Sequence, residues 1–124
     1  MAKIMIVDDS ETLRSQLRKC LEGAGHQVIE GTDGLNGIEV LGQNQDVKLI
    51  VCDVNMPRLD GLSMCQKVHV MPEHSKTPII MLTTEANPEM KTKGKEAGVI
   101  AWVTKPYDET KLLAAVDKIL KMYP

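Results

Sequence analysis

The sequence contains no Phe, and its aromatic side chains are confined to Trp102, Tyr107 and Tyr123. A nucleic-acid binder that stacks bases on a sheet face needs exposed rings, so that class is disfavoured. The core must instead be aliphatic, filled by Val, Ile, Leu and the eight Met. Neither sign of charge is in excess: 15 Lys and Arg stand against 17 Asp and Glu, a net charge of −2. That balance argues against non-specific attraction to DNA or to an anionic membrane. No apolar run is long enough to cross a bilayer. Asp8 and Asp9 interrupt the N-terminal apolar stretch, so no signal peptide is expected. Cys20, Cys52 and Cys65 are odd in number and form no CxxC pair, as expected of reduced, buried thiols in a cytoplasmic protein. No Pro-, Gly- or Ser-rich linker and no repeat divides the 124 residues. They fit one domain that buries roughly two-thirds of its unfolded surface.

What is present is an alternation of short apolar runs and helix-period segments. Residues 3–7 (KIMIV) form a continuous apolar run after one Lys, as in a strand buried on both faces. Ser10 is placed to cap a helix carrying Leu13, Leu17, Cys20 and Leu21 on one face and ending at Gly23 and Gly25. Residues 27–30 (QVIE) read as a second strand, nearer an edge. A helix follows with Leu35, Ile38 and Leu41 in register, weakened by Gly34, Gly37 and Gly42. Residues 47–52 (VKLIVC) form the third strand, ended by Asp53. After a turn at 57–61 comes a helix bearing Leu62, Cys65, Gln66 and Val68. The fourth strand is 78–82 (PIIML), with Pro78 first, where its missing donor matters least. Pro88 suits the first turn of a helix reaching Ala97, with Gly98 as its stop. Residues 99–103 (VIAWV) form the fifth strand, and Asp108 caps a last helix with Leu112, Leu113, Val116, Ile119 and Leu120 on one side. Five strand–helix pairs imply an α/β domain, a five-stranded parallel sheet wrapped by five helices on both faces.

In an open parallel sheet, ligands bind beyond the carboxyl ends of the strands. Asp8 and Asp9 follow the first strand, Asp53 the third, Thr83 and Thr84 the fourth, and Thr104 and Lys105 the fifth. Each has a plain explanation when taken alone. The acidic pair suits a helix N-terminus, Asp53 a turn ahead of Pro57, the Thr pair a cap before Pro88, and Lys105 a solvated surface. Taken together they do not, because three like charges on one rim repel and capping does not require them to share it. A magnesium ion would relieve that repulsion, since it takes hard oxygen ligands and keeps places for water and phosphate. Lys105 adds a compact positive charge suited to a phosphate oxygen or a carboxylate. Such a set fits phosphoryl transfer to a carboxylate, with Asp53, alone at the central strand's tip, as the nucleophile.

The succession Asp8-Asp9, Asp53, Thr83 and Lys105-Pro106 resembles that of response-regulator receiver domains. Asp33-Gly34, Asn55-Met56-Pro57 and Asp60-Gly61 fall between, so the likeness runs over nearly the whole chain. Segments 53–57 (DVNMP) and 82–85 (LTTE) resemble the single-domain chemotaxis regulators of the CheY type. The resemblance implies strand order 2-1-3-4-5 and one receiver domain over 1–124 with no effector domain. It implies that a CheA-like histidine kinase phosphorylates Asp53. Magnesium would be held by Asp9, Asp53 and the Asn55 backbone carbonyl, with Asp8 acting mostly through water. Thr83 would hydrogen-bond the phosphate, Lys105 would pair with another phosphate oxygen, and the Lys105–Pro106 bond would be cis. The chain would promote only its own phosphorylation and dephosphorylation, and would not be an enzyme acting on other substrates. Asn55 and Glu85, two places beyond Asp53 and Thr83, would tune hydrolysis of the acyl phosphate, which is expected to be fast.

The family's switch aromatic, three residues before the lysine, is more often Tyr or Phe, whereas here it is Trp102. An indole is bulkier and only donates, so two readings stay open: a signalling aromatic, or a packed strand residue. Tyr107 falls where the family has Phe or Tyr and reads as structural. The face bearing Met90, Lys91, Lys93 and Lys95, with Lys111 and Lys118, suits an acidic peptide of a motor or kinase partner, or is simply a solvated lysine face. A monomer is expected, with a flagellar switch protein or another protein target, and a phosphatase, as further partners. The alternatives are a stand-alone phosphorelay or phosphate-sink receiver and, from another class, an aspartyl-nucleophile phosphatase of the haloacid-dehalogenase type. Against the phosphatase, Asn55 stands where that family has an acid. A flavodoxin-like FMN carrier lacks its phosphate loop here. His26, His69 and His74 are scattered and read as structural or exposed.

Overall fold

The computed structural model describes residues 2–84 and 87–123. Its elements follow in strict alternation: β1 (Lys3–Val7), α1 (Glu11–Gly23), β2 (Gln27–Gly31), α2 (Gly34–Gly42), β3 (Val47–Asp53), α3 (Gly61–His69), β4 (Ile79–Thr83), α4 (Pro88–Glu96), β5 (Val99–Thr104) and α5 (Glu109–Met122). All strand pairs are parallel, and the sheet order is β2-β1-β3-β4-β5, as expected. A parallel sheet buries both faces under helices, which is why β1, β3 and β4 read as continuous apolar runs.

The core is two aliphatic layers separated by the sheet. On one side Met5, Val7, Ile50, Cys52, Ile79 and Met81 meet Leu41, Met64, Cys65 and Val68. On the other side Ile4, Ile6, Leu49, Val51, Ile80 and Leu82 meet Leu17, Leu21, Leu112, Val116 and Ile119. Thus α1 and α5 cover one face, and α2, α3 and α4 the other. Two register irregularities interrupt the alternation, at Lys48 opposite the Lys3–Ile4 step and at Ile100 opposite the Ile79–Ile80 step. Each puts one extra residue into its strand and leaves it exposed. None of the described helices is long and apolar enough to cross a membrane.

All five helices are capped in one way: the side chains of Ser10, Asp33, Asp60, Asn87 and Asp108 each accept a hydrogen bond from the amide three residues on. Such a cap satisfies one of the four amides left unpaired at a helix start. Several expected boundaries move. β4 starts at Ile79, because Pro78 cannot donate to the ladder; its carbonyl accepts from the Ile50 amide at 3.0 Å. β3 includes Asp53, and β5 includes Thr104. Gly23 closes α1 inside its last turn, with Ala24 as cap and Gly25 left-handed at φ 92°. On α3 the buried face is Gly61, Met64, Cys65 and Val68, while Gln66 points to solvent. The α2 glycines serve close approach: a Cβ on Gly34 would overlap the Leu59 carbonyl, and one on Gly37 would lie 3.0 Å from Met64 Sδ.

Candidate functional site

The carboxyl ends of the strands deliver the chemistry. Asp8 follows the last residue of β1, Asp53 is the last of β3, Thr83 the last of β4, and Lys105 follows the last of β5. Adjacent strands fix their relative heights: Thr83 is opposite Thr104 in the β4–β5 register, and the Lys105 amide donates to the Thr83 carbonyl at 2.8 Å. The Lys105–Pro106 bond is cis. Asp8, Asp53 and Thr83 are buried, at 2%, 6% and 5% exposure. Asp9 is exposed at the mouth.

Lys105 Nζ stands between two carboxylates, 3.0 Å from Asp53 Oδ1 and 3.2 Å from Asp8 Oδ2. Asp8 Oδ1 accepts from the Ser10 amide at 2.8 Å. One carboxylate oxygen from each of Asp8, Asp9 and Asp53 lies within 4.8 Å of the other two. One ammonium therefore faces three acids. The Asp8 carboxyl is raised above its ordinary value, chiefly by burial and further by the Asp53 charge, against the lowering influence of Ser10 and Lys105. Burial alone would lower the Lys105 ammonium, but its hydrogen bond to Asp53 and the Asp8 charge outweigh that, and the net direction is up. The donor set, three hard carboxylates without sulfur or imidazole, fits a hard divalent cation such as magnesium.

Most of the residues expected from the sequence thus converge. Asn55 lies two residues beyond Asp53 and is exposed, in the loop between β3 and α3. Glu85 lies outside the described residues. Trp102 sits apart from the acids, half-buried on the α4 side of the sheet, where it pairs in register with Met81. Tyr107 packs on the opposite layer. Lys91, Lys93 and Lys95 are exposed on α4, and Lys93 pairs with Glu89 at 3.2 Å. All three cysteines are free and buried, as expected. His74 is buried against Thr77 Oγ1 and the Leu41 carbonyl, and His69 is exposed.

Among the supporting side chains that sequence reasoning missed is Arg14. Its Nη1 donates to the Asp8 carbonyl at 2.6 Å, and its Nε to Glu30 at 3.0 Å. Arg18 holds the other Glu30 oxygen at 2.7 Å. The only available signal was the placement of two arginines one helical turn apart after the acidic pair.

Comparison with known proteins agrees with this geometry. Residues 4–117 match the family model described as the response regulator receiver domain. The chain is 34% identical over 119 residues to a chemotaxis protein CheY homolog of Campylobacter jejuni, covering 95% of this chain and 92% of that protein. It is 35% identical over 120 residues to protein PilH of Pseudomonas aeruginosa, covering 97% and 98%. The crystal structure of Vibrio cholerae chemotaxis protein CheY4 superposes with a TM-score of 0.91 at 34% identity, covering 96% of this chain and 98% of that one. With acids, hydroxyl and ammonium on the strand tips of the expected sheet, and with these matches end to end, the chain belongs to the response regulator receiver family.

Proposed function

We propose that this protein is a phosphorylation-controlled binding module in which Asp53 accepts a phosphoryl group from a phosphohistidine of a CheA-like kinase. The observation that carries the reading is Asp53 Oδ1 held 3.0 Å from Lys105 Nζ at the central strand's tip, beside Asp8 and Asp9. In the transfer, an Asp53 carboxylate oxygen bonds to phosphorus. The phosphorus–nitrogen bond breaks, and the imidazole nitrogen keeps the electron pair and takes a proton. Lys105, charged throughout the neutral range, turns from the carboxylate to a phosphate oxygen, and the Thr83 hydroxyl donates to another. Asp8, Asp9, Asp53 and the Asn55 carbonyl would hold magnesium, which when bound supplies positive charge against the acids and the incoming phosphate. Asn55 and Glu85 set the rate at which water removes the phosphate.

The likeness to chemotaxis regulators supports signalling to a flagellar switch. Capture of a motor protein rather than a phosphotransfer protein by the phosphorylated chain distinguishes that output from a relay or phosphate sink. The central test is beryllofluoride with magnesium, which mimics phosphate on Asp53. Tryptophan emission of the wild type should change, and Asp53→Asn should abolish the change. Phosphate incorporated from the kinase into Asp53→Asn as readily as into wild type would overturn the reading.

A further inference from the structure

The loop from Val54 to Asp60 carries Asn55, and its two ends are fixed from within. The Gly61 amide donates to the Val54 carbonyl at 2.8 Å, and a Cβ on Gly61 would overlap the Asp53 carbonyl. What holds the arch between them comes from another part of the chain. Arg58 forks onto Asp33, with Nε 2.7 Å from Oδ2 and Nη2 2.9 Å from Oδ1. Planar two-point pairing of this kind fixes orientation as well as distance. Asp33 is itself held on a second side: it is 7% exposed, and its Oδ1 also caps α2 by accepting from the Asn36 amide at 2.9 Å. Next to Arg58, the Leu59 carbonyl lies flush on Gly34, so backbone and side chain both clamp the β3–α3 loop to the start of α2.

Arg58 holds this position in an unfavourable conformation. It is the only non-glycine residue with positive φ among the described residues, at 65°. A left-handed site favours Gly or Asn. An arginine there has its backbone strain offset by what its side chain grips.

We infer that the Asp33–Arg58 ion pair is a positioning device for the cation site, holding the 55–58 arch where the Asn55 carbonyl can serve as a ligand. The inference rests on the magnesium reading above. Outer partners that orient metal ligands commonly matter as much as some of the ligands themselves.

Magnesium titration calorimetry on four chains tests it: wild type, Arg58→Gly, Asp33→Asn and the double variant. Glycine relieves the left-handed strain, and asparagine keeps the α2 cap, so both variants should melt within a few degrees of wild type in EDTA. Each single variant should bind magnesium about tenfold more weakly. The double variant should be no weaker than either, because the pair acts as a unit. Wild-type affinity in Arg58→Gly, or losses that multiply in the double variant, would overturn the positioning role alone. A wild-type chain that takes up no magnesium would overturn the cation reading and the clamp with it.

Discussion

Gly94 of α4 lies directly beneath the indole of Trp102: a Cβ on residue 94 would stand 2.6 Å from Cζ2 and 3.4 Å from Cη2. Gly94 is also the only residue buried within α4, and Met90 of the same helix packs on the core beside it. Alanine is the better helix former by about 1 kcal/mol, but overpacking against a rigid ring costs about 1–3 kcal/mol. Gly94→Ala should therefore lower the denaturant midpoint and shift tryptophan emission. In a Trp102→Phe background, where no atom occupies the Cζ2 position, the same change should become neutral or stabilising. Equal losses in both backgrounds would show that the indole is not the obstacle.

Lys105 is the only cation bridging Asp8 and Asp53 among the described residues. Its removal leaves two buried carboxylates facing each other, and breaking a buried pair costs about 3 kcal/mol. Lys105→Met should lose stability of that order in EDTA at neutral pH, and millimolar magnesium should restore part of it. The sign of the pH effect follows from Asp8, whose carboxyl is raised, first by burial. Stability gained by protonating it is fully present below its unfolded value of about 3.9 and is lost as pH rises through the raised folded value. The deficit of Lys105→Met should therefore shrink on acidification, as measured by urea unfolding at several pH values.

Asp33 titrates with the opposite sign. The Arg58 guanidinium, then the Asn36 amide, hold its carboxyl below the ordinary value. Its contribution is present above about pH 3.9 and is lost as pH falls through the lowered folded value. Asp33→Asn should flatten the acid limb of the stability curve and leave its shape above pH 6 unchanged. An acid limb as steep as that of wild type would contradict this assignment.

The thiols should be inert in the native state. Cys52 and Cys65 have no exposure and Cys20 only 9%. Cys52 is pushed well up, first by the neighbouring Cys65 thiol and then by burial, and Cys20 by burial and the nearby Glu109. A chromogenic disulfide reagent at pH 8 should label none within minutes and all three after unfolding in denaturant. Rapid labelling of a native thiol would mean that the core opens.

The strands were legible because apolar runs bounded by turn residues mark burial, yet hydropathy does not mark where the ladder ends. Asp53, Thr83 and Thr104 are polar and still belong to their strands, which is how they are presented at the rim. The acids and Lys105 could be placed because a strand tip follows directly from a strand. Arg14, Arg58 and Gly94 could not, since each acts on a partner that only the tertiary fold supplies. The α2 glycines weakened the helix prediction for the same reason: propensity counts their entropy but not the backbone they admit. Neither register irregularity was visible, because VKLIVC and VIAWV read as ordinary buried runs.

The irregularity at Ile100 is what assigns the aromatic to its side. Val99 and Trp102 share the α4 layer although three residues apart, while Ala101 and Val103 fall on the α5 layer. Strict alternation would have placed Val99 and Trp102 on opposite faces. Drawing Ile100 into the ladder opposite Ile80 would thus carry the indole across the sheet, opposite Leu82, whereas deleting Ile100 would leave Val99 and Trp102 on the α4 side. The pairing parity of one edge strand, a count of residues rather than their kind, decides which helix layer the aromatic packs against.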